Sequence, residues 1–111
     1  MIFQDIFKSG YDYKSLPWQP FRSGVEIYKL YGSEGGASCV LLKYEAGASV
    51  PIHTHLGFEH VFILEGSQSD QNGTYKVGTL VINDPSSSHN VSSQEGCIVL
   101  IIWEKPVVME D

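Results

Sequence analysis

From Val25 onward, apolar and polar residues alternate in short runs broken by turn formers about every ten residues, the pattern of β-strands rather than helices. Eight strands are predicted: Glu26 to Tyr31, Ser38 to Glu45, Ser49 to His55, Glu59 to Glu65, Gly73 to Val77, Thr79 to Asn83, His89 to Ser93 and Cys97 to Glu104. The intervening breakers are Gly32 to Gly36, Ala46 with Gly47, Leu56 with Gly57, the polar run SQSDQNG, Gly78, Asp84 to Ser88, and Glu95 with Gly96. Short strands in this number suit an all-β fold, a single jelly-roll barrel. The first residues read differently. Ile2, Phe3, Ile6 and Phe7 form an edge strand or a short amphipathic turn, and Pro17, Trp18 and Pro20 keep the chain extended. The expected organisation is an extended or edge segment at 1–23 packed on the barrel, the barrel at 24–108, and a tail at 109–111.

The alternation also sorts the polar residues. His53 and His55 fall on one face of their strand and Thr54 on the other. After the turn at Leu56 and Gly57, the next strand carries Glu59, Val61 and Ile63 on one face and His60, Phe62 and Leu64 on the other. Glu59 can therefore face the two histidines, while His60 belongs to the exterior. His89 follows the loop Asp84 to Ser88 and would reach the same place from a separate strand. Any one of these histidines, alone, is more often a polar residue near a barrel mouth than a ligand. An inward carboxylate beside inward imidazoles is different, because its desolvation must be offset by a cation or by well-placed donors. His53, His55, Glu59 and His89 are thus the expected ligands of one divalent transition metal ion: iron, zinc, nickel or manganese. Three imidazoles and a carboxylate close a tetrahedral zinc but leave an octahedral metal two open positions.

Large residues on the β-patterned segments, Tyr44, Phe62, Ile82, Val91, Ile101 and Trp103, are candidates for the barrel wall, with core packing the commoner role for such side chains. None is assigned a catalytic role. The polar loop before His89 reads first as a turn whose hydroxyls satisfy their own backbone.

Composition narrows the partners. Seven Lys and Arg against thirteen Asp and Glu give a formal charge of −6, with no basic cluster to neutralise phosphates, so neither nucleic acid nor an anionic membrane is an expected partner. No window approaches the length of a membrane span, and the first residues lack a cationic, then apolar, leader. A cytoplasmic location is expected. At 111 residues the chain fits one domain. Cys39 and Cys97 belong to no C-x-x-C pair and are expected as buried thiols, with a disulfide the less favoured state.

The segment Gly47 to Gly66, GASVPIHTHLGFEHVFILEG, resembles the first cupin motif: a glycine, five residues, His-x-His, three residues, a glutamate, six residues and a glycine. GTLVINDPSSSHNVSS resembles the second more loosely. Gly78 and His89 keep their spacing, but Pro85 is one place late, Ser86 stands where glycine is usual, and Ser93 replaces asparagine. HTHLGFEH, ILEGSQSD, the PSSSH loop and EGC before an apolar strand resemble the ChrR-like cupins, a group including the C-terminal domain of certain anti-sigma factors and relatives of acetylacetone dioxygenase. The resemblance covers about residues 24 to 108. It implies a cupin barrel, or double-stranded β-helix, with a metal at the four residues above. It also implies either a metal-dependent dioxygenase acting on a small dicarbonyl or enolisable substrate, or a non-catalytic metal or small-ligand sensor. Sigma-factor inhibition is not expected, since such factors use a separate zinc domain for which this length has no room. A homodimer is expected to cover exposed strand edges, with Ile2, Phe3, Ile6 and Phe7 supplying the cover.

Overall fold

A computed structural model describes residues 1–109 of the chain. It contains ten strands: β1 (Gln19–Arg22), β2 (Val25–Gly32), β3 (Ser38–Tyr44), β4 (Ala48–His55), β5 (Glu59–Asp70), β6 (Gly73–Lys76), β7 (Leu80–Asn83), β8 (Ser88–Ser93), β9 (Cys97–Trp103) and β10 (Val107–Met109). Among the described residues these strands pair antiparallel. One sheet runs β1-β2-β3-β9-β5-β7 and the other β10-β4-β8-β5-β6, so β5 serves both. This is the expected all-β jelly roll. Residues 110 and 111 of the expected tail lie outside the described residues, and Met109 belongs to β10.

The two halves of β5 meet at Gly66. Its φ of +71° is left-handed, and a Cβ there would lie 2.0 Å from the Gly96 carbonyl oxygen. Only glycine allows the strand to turn from one sheet into the other at this close approach. The predicted strand ending at Glu65 therefore stops too soon, because the SQSD run continues it as Ser67–Asp70, paired with β6 and touching β8. Polar composition suggested a loop, yet Ser67 and Gln68 are buried and the Ser93 hydroxyl donates to the Ser67 carbonyl at 2.6 Å. Edge strand β1 falls in the stretch expected to be extended around Pro20, whereas edge strand β10 is an addition to the expected eight strands. β1 contains Pro20, which an edge position tolerates.

Between the sheets lies a core of Val25, Ile27, Val40, Leu42, Tyr44, Val50, Val61, Ile63, Val91, Cys97, Val99 and Ile101. Full burial of such side chains stabilises by about 1.5–3 kcal/mol each before chain entropy is counted. β3 and β9 are apolar almost without interruption, the mark of strands buried on both faces. Their outer face carries a second core of Ile6, Tyr13, Cys39, Leu41, Ile98 and Leu100, flanked by Tyr11, Leu16 and Trp18. The segment before β1 thus covers this face. It is held by Tyr13, whose hydroxyl donates to the Ile6 carbonyl, and by the Trp18 indole, which donates to the Tyr13 carbonyl at 2.8 Å. Residues 4–7 form turns, so the edge-strand alternative for that stretch gives way to the amphipathic turn. Within it Ile6 is buried, Phe7 stands beside Phe62 and Ile2 is exposed.

Phe62 and Ile82 are corrected as wall residues. Phe62 packs in the outer core by the same alternation that points Glu59, Val61 and Ile63 inward, and Ile82 is exposed. Cys39 and Cys97 are free and buried, one in the outer core and one in the inner. They lie on opposite faces of one sheet, which separates them. Among the described residues no helix is long and apolar enough to cross a membrane.

Candidate metal centre

His53 and His55 lie on β4, Glu59 opens β5, and His89 sits on β8 directly opposite His53 in the ladder. The strand period and the register bring them together. One ligand atom from each lies within 4.8 Å of the other three, and all four residues are buried. The imidazole centroids stand 5.1, 4.5 and 4.7 Å apart, each pair edge to face. His60 points away from this cluster and shares the outer surface with Ile82 and Ile102, its partners in register.

Each imidazole is oriented through its other nitrogen. His53 Nδ1 donates to the Pro51 carbonyl at 3.0 Å. His55 Nδ1 lies 2.9 Å from the Ser87 oxygen, and the one Ser87 hydroxyl proton goes to the Asp84 carbonyl, so the serine accepts from His55. His89 Nδ1 faces Asp70 Oδ2 at 3.4 Å, while Asp70 Oδ1 accepts from the Tyr75 hydroxyl at 2.8 Å. With Nδ1 protonated in all three, every Nε2 carries a bare lone pair. This is the tautomer that a metal ligand needs, fixed by its outer partner.

Glu59 is held from both sides. Its direct partners in the flanking strands are Asn83 on β7 and Trp103 on β9. Asn83 Nδ2 donates to Oε1 at 2.8 Å and Trp103 Nε1 donates to Oε2 at 2.6 Å. Burial pushes the carboxyl up, but His55, the Trp103 donor and His89 outweigh it and hold Glu59 below the usual glutamate range. Burial lowers the proton affinity of His53 and His89, so the neutral ring is favoured. The site thus favours an ionised Glu59 beside His53 and His89 in their neutral form.

Lone pairs converging in a buried place are costly without a cation. His55 Nε2 lies 3.1 Å from Glu59 Oε1 and His89 Nε2 lies 3.7 Å from it, yet neither nitrogen has a hydrogen-bond partner among the described residues. A protein interior rarely leaves such groups unsatisfied. The donor set, burial and tautomers fit a divalent metal ion, which these four residues could hold.

His53, Glu59 and His89 form part of the wall of a small cavity of about 30 Å³, room for water rather than for a drug-sized ligand. Leu42, Tyr44, Val50, Val61, Val91, Ile101 and Trp103 line the rest of its interior with Gln68, and Phe21, Val107 and Met109 complete it. Tyr44, Val91, Ile101 and Trp103 were foreseen there. Ser87, Asp70, Asn83 and Trp103 were not recognised as the partners of the cluster, since each reaches it across strands. The PSSSH loop does satisfy its own backbone, and it also holds His55: Ser86 N donates to the His55 carbonyl at 2.7 Å and His55 N to the Ser87 carbonyl at 2.9 Å.

A small jelly roll with a buried three-histidine, one-carboxylate cluster beside an apolar cavity defines a cupin with a candidate metal centre. The family of the ChrR cupin-like domain matches residues 8–107, and the chain belongs to it. The anti-sigma-E factor ChrR of Cereibacter sphaeroides is 27% identical over 96 residues, 85% of this chain and 45% of ChrR. The chain thus spans less than half the length of that curated relative. The crystal structure of Rhodobacter sphaeroides SigE in complex with the anti-sigma ChrR is similar with a TM-score of 0.75 and 27% identity, over 85% of this chain and 52% of that one. An acetylacetone dioxygenase from Acinetobacter johnsonii shares the fold, with a TM-score of 0.78 and 18% identity over 85% of this chain and 72% of that one.

Proposed function

We propose that the chain is a metal-dependent cupin in which His53, His55, Glu59 and His89 hold one divalent transition metal ion, and that it acts as a dioxygenase on a small enolisable dicarbonyl. The observation that carries this reading is the pair of unpartnered Nε2 atoms beside Glu59 in a cluster that borders a small apolar cavity. When bound, iron(II) would supply Lewis acidity toward a chelating oxygen and the electrons that dioxygen chemistry needs. The chain's own residues provide orientation and shelter. Pro51, Ser87 and Asp70 fix the imidazoles, Asn83 and Trp103 orient Glu59 by hydrogen bonds, and Val61, Val91 and Ile101 exclude water from the reacting space. The two free buried thiols suit a reducing compartment and support a cytoplasmic protein.

Elemental analysis of protein purified without added metal, alongside His53→Ala and Glu59→Ala, tests the ligands. About one metal per chain is expected in the wild type and a small fraction of that in either variant. Oxygen consumption by the iron-loaded protein with a panel of β-diketones tests the activity. Metal retained in both variants refutes the ligand assignment, and metal without oxygen uptake refutes the dioxygenase.

The 27% identity with ChrR, against 18% with the dioxygenase, favours a second reading as a metal- or ligand-responsive regulatory cupin. That reading expects no turnover and a metal-dependent change in oligomeric state or partner binding. Either form is proposed to work as a homodimer through its exposed strand edges. Ile6 is engaged within its own chain, whereas Ile2 and Phe3 remain open to a partner. Deleting residues 1 to 8 and measuring molar mass tests their part.

A further inference from the structure

The two sheets share β5, and each runs out from it to a short edge strand, β1 in one and β10 in the other. Among the described residues no ladder joins these two edges, so side chains alone close the seam between them. Phe21 on β1 and Val107 and Met109 on β10 supply the closure. All three line the small interior cavity, and all three also line a surface hollow of about 670 Å³ outside it. Side chains that border both spaces are the partition between them. Every other side chain around the cavity is buried, except Trp103, whose indole is tied to Glu59. Within the partition Phe21 is the least anchored member. The β1–β2 register slips between Pro20 and Arg22, which leaves Phe21 without a ladder partner, and its ring is 39% exposed. Val107 and Met109, by contrast, stand on a strand laddered to the ligand strand itself, opposite His55 and His53. A residue at a bulge of a four-residue edge strand moves at low cost.

We propose that Phe21 is the gate of the candidate metal centre: its ring closes against Val107 and Met109 at the β1–β10 seam, and its displacement lets ligands reach the cluster. The proposal rests on the metal-centre reading and adds the route of access to it. With the gate shut, the cavity of about 30 Å³ takes water and no organic molecule. A dicarbonyl of the kind proposed above reaches the metal only when the ring swings into the hollow outside. The bulk of residue 21 therefore sets both how fast a ligand enters and how large it can be.

Stopped-flow mixing of the cobalt(II)-loaded full chain with azide or acetylacetone tests this, read from the cobalt absorption. Phe21→Ala removes the ring that must be moved and is expected to speed azide association about tenfold, with cobalt content unchanged. Acetylacetone, being bulkier, is expected to gain more than azide. Val81→Ala trims a side chain packed on the inner core from β7, away from the seam, and is expected to leave both rates as they are. Unaltered rates in Phe21→Ala overturn the proposal. Equal acceleration in Val81→Ala also overturns it, since that reports a general loosening of the barrel, and so does a wild-type cobalt spectrum that responds to neither probe. Failure of the wild type to take up cobalt refutes the metal centre itself and the gate with it, whereas uptake with unaltered rates refutes the gate alone.

Discussion

Trp103 donates its indole N–H to Glu59 Oε2 at 2.6 Å across a rung of the β5–β9 ladder in which the two residues are direct partners. The donor favours the ionised carboxylate and restrains its rotation. Trp103→Phe keeps most of the apolar volume and removes the donor. Metal affinity, measured by competition with a chromophoric chelator, is expected to fall about tenfold. An unchanged affinity would mean that Asn83 alone orients the carboxylate.

Ser87 and Ser86 are adjacent, yet their substitution is expected to act in opposite directions. Ser87→Ala leaves the buried His55 Nδ1 proton without its acceptor, which should cost about 1–3 kcal/mol and weaken metal binding. Ser86 has a φ of +71°, left-handed backbone that costs a side chain about 1 kcal/mol. Ser86→Gly relieves that strain at some entropic cost, so the thermal midpoint is expected to rise by a few degrees, about the effect of half a kcal/mol. Thermal unfolding of both variants checks the signs.

Stability of the metal-free protein should fall on acidification. Burial holds His53 and His89 below their ordinary 6.5, so just below that pH the unfolded chain binds more protons than the folded one. Their contribution is complete above 6.5 and is lost as the pH drops through the folded-state values. Glu59, held below its ordinary 4.5, adds a further decline beginning near there. Urea midpoints of chelator-treated protein at about pH 8, 6 and 4 should descend in that order; a level series would contradict the assigned protonation states.

Much of this site follows from period and spacing. The two-residue repeat puts His53 and His55 on one face, and the turn at Leu56 and Gly57 returns the chain so that Glu59 meets them. The same rule placed Phe62 outside, and its choice as a wall residue on size alone went against that rule. Ser67 to Asp70 could not be read as strand, because the buried partners of Ser67 and Asp70 lie on β8 and come close only in the folded sheet. The contacts of Trp103 and Asn83 with Glu59 depend on register, which neither strand's own sequence specifies. The cover on the outer face was signalled by unbroken apolar runs in β3 and β9, but which segment supplied it was not.

Gly66→Ala should be among the most damaging single changes outside the ligand set. It introduces a Cβ 2.0 Å from the Gly96 carbonyl oxygen at a left-handed φ. A loss of about 3 kcal/mol or more is expected, a large part of the stability of a small domain. Denaturant unfolding of the purified variant checks this, and recovery of near-wild-type stability would contradict the crossing geometry.

Cys97 should be inert while the chain is folded. Burial pushes its thiol up to about 11, so almost none is thiolate near neutrality. Iodoacetamide at about pH 8 should label neither cysteine in the native protein and both after denaturation. Rapid native labelling of Cys97 would show that the inner core opens on the timescale of the reaction.

Because β5 passes without interruption from one sheet to the other, Glu59 and Asp70 ride on a single length of backbone, one on each side of the bend at Gly66. A sliding motion between the layers would move the carboxylate that joins the cluster relative to the carboxylate that steadies His89. The strand thereby ties the spacing of the cluster to the alignment of the two sheets.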